Sequence, residues 1–173
     1  MDTHLKEPIF VAGGEDRFHN ESMLPRCKLS AKDTNGNLCV LGGNHDNPPG
    51  RIGIPLHFHH DQDEFWYIVE GEYVFQIGDR KIRAKTGDAL FSPRRVPHSI
   101  RQMTERGSLL TVCHPAGTPE EFFRELAQLR GARGTDQCLP PNASQSCSGG
   151  MEWRSSVRWL RSEHATALVR AIG

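Results

Sequence analysis

The sequence predicts an all-β domain, a sandwich or barrel of short antiparallel strands. Three observations point there. Strand-like segments recur at short intervals along most of the chain, turn residues punctuate the gaps between them, and two histidines stand two residues apart in one of the segments. Residues 1–22 are polar and read as an N-terminal arm. A barrel is then expected over 23–116, with strand-like segments at 27–31, 38–41, 52–59, 64–69, 73–77, 81–84, 89–92, 98–103 and 108–114. Asp33-Thr-Asn-Gly36, Glu70-Gly71, Gly78-Asp79 and Thr86-Gly87-Asp88 supply the turns between them.

The segment Glu64-Phe-Trp-Tyr-Ile-Val69 is apolar on both faces. With Glu64 pointing inward, Trp66 and Ile68 share its face, while Phe65, Tyr67 and Val69 face outward. A strand that is apolar on both sides needs cover on both, so the outer cover is expected partly from the N-terminal arm and for the rest from a second subunit, in a homodimer. After the barrel, Thr118-Pro-Glu-Glu121 forms a capping box and Gly131 a stop signal. They bound a helix within 117–131 whose Phe122, Leu126 and Leu129 form one apolar stripe. Residues 132–150 have linker composition. In the tail that completes 132–173, a helix over 151–172 is expected from the loose spacing of Trp153, Val157, Leu160 and Leu168.

Length and composition narrow the function. A chain of 173 residues makes one domain, or one domain with an appendage. Its 21 basic and 21 acidic residues cancel, which leaves no electrostatic case for nucleic acid or an acidic membrane. No apolar run approaches the ~20 residues of a membrane span. The N-terminal residues lack the basic and then apolar blocks of a secretory signal, so a cytoplasmic location is expected. The five cysteines (27, 39, 113, 138 and 147) include no C-x-x-C pair and read as reduced, mostly buried thiols. Cys113, beside His114, reads as a small core residue of a strand, since no activating constellation accompanies it.

Two stretches carry chemistry. The first is Gly53-Ile-Pro-Leu-His57-Phe-His59-His-Asp-Gln-Asp-Glu64-Phe-Trp-Tyr-Ile-Val-Glu-Gly71, a spacing of H-x-H-x4-E-x6-G. Alternate residues of a strand share a face, so the imidazoles at 57 and 59 can bind one cation at about 2.0–2.1 Å. His60 faces the other way. The polar run 60–63 makes a turn, Glu64 opens the returning strand, and Gly71 closes it where a positive φ is expected. The second stretch is Gly87-Asp-Ala-Leu-Phe-Ser-Pro93-Arg-Arg-Val-Pro97-His98, in which two prolines bracket a rigid loop that delivers His98 to the next strand.

Together these stretches resemble the two motifs of the cupin superfamily, closely over 50–104 and in strand rhythm over 24–115. Fifteen residues separate Gly71 from Gly87, similar to the short spacing of small single-domain cupins. Two positions depart from the pattern. Arg51 stands where the first motif opens with Gly. In the second, P-x-G-x-x-H, Arg95 replaces the Gly, and Gln102 replaces the Asn four beyond the His. The resemblance implies a double-stranded β-helix, or jelly-roll barrel, with a short helix after it. It also implies one divalent transition metal held by His57, His59, Glu64 and His98.

Three nitrogens and one carboxylate suit Fe, Mn, Ni, Co or Zn, and the lack of thiolates argues against a closed structural zinc site. Strand parity with the ligands names Trp66, Ile68, Tyr73, Phe75, Phe91, Ile100 and Gln102 as walls for a small, mostly apolar or aromatic substrate. The chain is similar to quercetin-dioxygenase-like cupins. That likeness implies a dioxygenase in which a small enolisable or aromatic molecule meets the metal and Glu64 serves as ligand and general base. A metal-dependent isomerase or lyase, and a non-catalytic small-molecule-binding cupin, are the alternatives. Arg94, Arg95 and Arg101 read as solvated surface charge in preference to an anion subsite.

Overall fold

Side chains alternating in and out with a period of two build the parts of the chain that position the site. A computed structural model describes residues 7–17, 26–46, 53–119 and 157–159. Its strands are β1 (Arg26–Leu29), β2 (Cys39–Asp46), β3 (Gly53–His59), β4 (Asp63–Glu70) and β5 (Glu72–Ile77). They continue with β6 (Arg80–Lys85), β7 (Ala89–Ser92), β8 (His98–Gln102), β9 (Arg106–His114) and β10 (Val157–Trp159). They form two five-stranded sheets, ordered β1-β2-β9-β4-β7 and β10-β3-β8-β5-β6, in which neighbours are antiparallel. This is the all-β jelly-roll architecture that the strand rhythm and motifs imply.

The pairing register stacks the inward side chains into rungs. The first rung is Cys39, Cys113, Glu64 and Ser92 across one sheet, facing His57, His98 and Ile77 on the other. The second is Leu41, Thr111, Trp66 and Leu90, facing Ile54, Ile100, Phe75 and Ile82. The third carries Leu109 and Ile68 opposite Gln102, Tyr73 and Ala84. Trp66, Ile68, Tyr73, Phe75, Ile100 and Leu109 form one buried cluster, with Ile54, Ile77 and Ile82 packed against it. On β4 the parity expected from sequence holds: Glu64, Trp66 and Ile68 are buried, while Phe65, Tyr67 and Val69 are 37%, 41% and 50% exposed.

Several boundaries differ from the sequence reading. β2 runs on to Asp46 because its ladder with β9 continues from Gly42 through Asp46, although Gly42-Gly43-Asn-His-Asp shows no apolar alternation. In β3 the register with β8 shifts between Ile54 and His57, around Pro55, which has no N–H to give a ladder. The helix expected over 151–172 is corrected at 157–159. Those residues are extended and pair with His59, Phe58 and His57, giving β3 a neighbour on the side that β8 leaves open. The expected helix lies outside the described residues beyond Pro119, as do the linker 132–150 and Cys138 and Cys147. Cys27, Cys39 and Cys113 are free thiols buried with Leu41 and Ala116, as expected.

Of the arm, 7–17 is described and contains no strand. Polar bonds fix it to β1. Arg17 N donates to Cys27 O (2.8 Å), Cys27 N to Asp16 Oδ2 (2.9 Å), and Lys28 Nζ to the carbonyls of Ala12 (3.0 Å) and Glu15 (2.6 Å). At the other end of the barrel chain, Gln62 Nε2 donates to Ala116 O (3.0 Å), tying the segment after β9 to the β3–β4 turn. No helix among the described residues is long and apolar enough to cross a membrane.

Gly71 and Gly87 separate backbone strain from steric clash. Both have positive φ, 89° and 91°, but a Cβ on Gly71 would stand 2.6 Å from Arg106 O and Thr104 Oγ1, whereas one on Gly87 meets nothing within 4 Å. Gly87→Ala should cost only the left-handed penalty, about 1–2 kcal/mol. Gly71→Ala adds an overpacking cost and should lose about 3 kcal/mol or more. Urea midpoints of the two variants check the ordering, and equal losses would contradict it.

Candidate metal centre

His57 and His59 alternate along β3 and turn their rings to the barrel interior. The turn at 60–62 brings the chain back, so that Glu64 near the start of β4 faces them from the other sheet. The loop 93–97 then returns the chain to the sheet of β3, where His98 opens β8 in register with His57. Ring centroids lie 4.3 Å apart for His57–His98, 5.2 Å for His57–His59 and 5.4 Å for His59–His98. Glu64 Oε2 is 3.1 Å from His59 Nε2 and 3.0 Å from His98 Nε2. One donor atom from each of the four residues falls within 4.8 Å of every other, and all four residues are buried.

These donors approach without hydrogen-bonding one another. His59 Nε2, His98 Nε2 and Glu64 Oε2 are buried and, despite their ion-pair distances, make no aligned hydrogen bond. Orphaned polar atoms in a barrel interior are costly. A shared cation removes that cost, and two donors each about 2.1 Å from one ion at right angles stand about 3.0 Å apart. The donor set therefore fits a divalent metal.

Neighbours fix the ligands. His98 Nδ1 lies 3.0 Å from Val96 O and 3.3 Å from Ser92 Oγ. A proton on Nδ1 satisfies the carbonyl and leaves the Nε2 lone pair for a metal. Ser92 is the register partner of Glu64. Sequence reading missed it, and the only local signal is its place just before Pro93. Cys113, on the other side of Glu64 in the same rung, is a core thiol beside the carboxylate. The loop is clamped as well. Arg94 gives Asp63 its backbone N–H (2.8 Å) and two guanidinium N–H groups (3.1 and 2.9 Å). Arg95 N donates to His59 O at 2.7 Å and its Nε to His60 O at 3.3 Å. Arg95 holds φ at 67°, a left-handed conformation that costs a side-chain-bearing residue about 1–2 kcal/mol.

Burial alone would push the Glu64 carboxyl up. His59 and His98 together outweigh it and hold the group well below the usual carboxylate range. The Arg94 guanidinium and backbone N–H hold Asp63 down at about 2.

The proposed walls lie at different depths. Trp66, on the second rung, meets the His98 ring at 5.2 Å and Phe75 at 5.3 Å, and with Ile100 these form a floor beneath the ligands. Ile68, Tyr73 and Gln102 are a rung further. Ile68 and Gln102 are each four residues from the ligand on their strand, about 13 Å along it. Tyr73 Oη and the Gln102 amide fill the space beside Gly107, and burial pushes the Tyr73 phenol up to about 12. These residues close the far end. Phe91 requires correction: it pairs with Phe65, not Glu64, and is 56% exposed on the outer face. His60 faces away from the ligands as expected, its ring 4.9 Å from that of Phe58.

Residues 45–113 match the cupin domain family. The chain belongs to the cupin superfamily. It is 30% identical over 120 residues to the quercetin 2,3-dioxygenase of Bacillus subtilis, covering 69% of this chain but only 34% of that enzyme. The cupin therefore spans about a third of that relative's length. Among solved structures, a predicted oxalate decarboxylase from Thermotoga maritima shares 27% identity, with 51% of this chain and 76% of that one covered at a TM-score of 0.44. A double-stranded β-helix protein from Klebsiella pneumoniae shares 17%, covering 58% and 84% at 0.46.

If the four donors share an ion, His98→Ala and Glu64→Gln should each weaken cobalt(II) binding by more than the about 10–100-fold that loss of an outer partner costs, and Ser92→Ala should fall within that range. Equilibrium dialysis with elemental analysis measures this, and unchanged stoichiometry and affinity in all three would remove the metal assignment. The loop clamp should titrate. The Asp63 value is depressed, so its stabilisation is complete above the unfolded value of about 3.9 and is lost as pH falls towards about 2. Over that window the urea midpoint of the wild-type protein should drop more steeply than that of Arg94→Gln. Parallel curves would show that the clamp contributes nothing.

Proposed function

We propose that this cupin is a metal-dependent dioxygenase acting on a small enolisable or aromatic substrate. The observation that carries the reading is the buried convergence of three imidazoles and one carboxylate within 4.8 Å. Bound there, a divalent first-row ion (Fe, Mn, Ni, Co or Zn all suit these donors) supplies Lewis acidity and an open position for substrate or dioxygen. The likeness to a quercetin 2,3-dioxygenase over 69% of the chain favours oxygen chemistry over other uses of such a centre.

The protein's own groups have separable tasks. His57, His59 and His98 are neutral donors, and Val96 and Ser92 hold the His98 ring in the orientation that turns Nε2 inward. Trp66, Phe75 and Ile100 seal the interior beneath the ligands. Glu64 is pulled in two directions. A general base works best with a pKa near the working pH, whereas a bound cation would hold this carboxylate well below it. Ligation is therefore its stronger role, and proton abstraction requires that one oxygen be released.

An oxygen electrode tests the reading. Loaded in turn with each of the five metals, the full chain should, with at least one of them, take up one dioxygen per molecule of quercetin or acetylacetone consumed, and Glu64→Gln should abolish that uptake. Product formation that continues under nitrogen would make the protein an isomerase or lyase. Ligand-induced stabilisation without product would make it a binding module.

A further inference from the structure

The loop that delivers His98 carries a positive charge that nothing in the metal centre uses. Arg17, Arg83, Arg94 and Arg106 each hold a carboxylate, from Asp33, Glu72, Asp63 and Glu70 respectively. Arg95 pairs with no carboxylate among the described residues. Its two recorded bonds both go to backbone carbonyls at the rim: N to His59 O at 2.7 Å and Nε to His60 O at 3.3 Å. The first belongs to a ligand residue and the second to its neighbour, so the side chain is tethered to the end of the strand that carries His57 and His59. With Nε engaged, the two Nη groups remain as the end-on fork that matches a carboxylate.

The backbone sharpens the argument. A φ of 67° is a conformation that glycine takes freely and an arginine takes at a cost. A loop that needed only this bend would be more stable with glycine. The side chain is therefore retained against local preference, the situation in which an observed outlier points to a use. The charge balance agrees: a divalent ion with three neutral imidazoles and one carboxylate leaves the centre net positive, which favours an anion. The rings of Trp66 and Phe75 close the side beneath the ligands, and the loop 93–97 that carries Arg95 joins β7 to β8 at the other end of the rungs.

We propose that Arg95 is the anion anchor of this site, its Nη pair gripping the carboxylate of a small enolisable or aromatic acid whose other end meets the metal centre. The proposal rests on the oxygenase reading for its entrance and names the substrate's charge.

The test is anaerobic binding to the full chain loaded with cobalt(II), using phenylpyruvate and its methyl ester as probes and calorimetry as the readout. The acid should bind at least about tenfold more tightly than the ester. Arg95→Gln should erase that margin without weakening the ester, and Arg95→Lys should restore part of it. Arg95→Gly should lose the margin too while melting at or above the wild-type temperature, which separates binding from folding. Equal affinities in the wild-type protein, no binding of either probe, or a margin that survives in both Gln and Gly variants overturns the anchor. None of these outcomes involves turnover, so the oxygen-uptake reading is judged separately. An Arg95-dependent margin with no oxygen uptake would overturn the oxygenase and keep the anchor.

Discussion

A carboxylate buried among three imidazoles is the constraint on which the rest of the structure depends. Glu64 has left water for the interior of a barrel, and burial by itself would protonate it. It stays ionised because His59 and His98 stand 3.1 and 3.0 Å away, and those rings come from the opposite sheet. Two sheets must therefore pack with their first rungs facing each other. The strand registers must also hold, because a slip of one residue in β4 would replace Glu64 by Phe65 or Asp63 on the inner face. The buried second and third rungs, from Trp66 to Tyr73, set the spacing at which this becomes possible. Packing lies beneath and chemistry above, joined by a register that serves both.

What the sequence discloses follows the range of the interactions. The H-x-H pair and the alternation through Glu64, Trp66 and Ile68 are legible because period two operates within one strand. Gly71 is legible as a turn because its φ of 89° is a local demand. Phe91 was not, since its face depends on whether Ser92 or Phe91 aligns with Glu64, and alternation inside a four-residue strand with Leu90 beside Phe91 does not fix that. Depth was hidden for the same reason. Tyr73 and Gln102 have the right parity but sit at the far end, which emerges only when β5 is laid against β8. Ser92 and Cys113 became neighbours of Glu64 through pairings between distant segments, and no motif marks them. The extended backbone at 157–159 is the strongest case. Loosely spaced apolar residues suggested a helix there, and an unfilled edge of β3 decided otherwise.

The loop between β7 and β8 shows how a costly conformation can be sustained. It crosses between the two sheets at the level of the ligands, and an error in its path would displace His98 directly. Four hydrogen bonds from Arg94 and Arg95 to Asp63 and His59 hold that path, and the Nδ1 bonds of His98 to Val96 and Ser92 carry it through to the ring. The left-handed Arg95 belongs to this clamp, because its N–H can reach the His59 carbonyl only if the chain turns sharply after Arg94. The strain is thus offset by bonds that also orient two of the four ligands.

This arrangement also explains why fold and site together leave room for more than one reaction. Everything beneath the ligands is filled by side chains with no titratable role, and the one phenol there is pushed up to about 12 and packed against Gly107. Selectivity among substrates must then come from the rim, where the β3–β4 turn and the loop 93–97 meet. Those are segments that can change sequence without disturbing the rungs. A barrel of this kind keeps its metal geometry while its rim is rewritten, so the likeness of the core to a quercetin 2,3-dioxygenase speaks to the centre and not to the molecule it receives. For this chain the rim is distinguished by charge: Arg94 is neutralised by Asp63, and Arg95 pairs with no carboxylate among the described residues. An uncharged flavonol would leave that guanidinium facing water, whereas an acid would pair with it. The physical difference between those two cases, one ion pair beside the centre, is what separates a rim indifferent to the charge of its ligand from one matched to an anion.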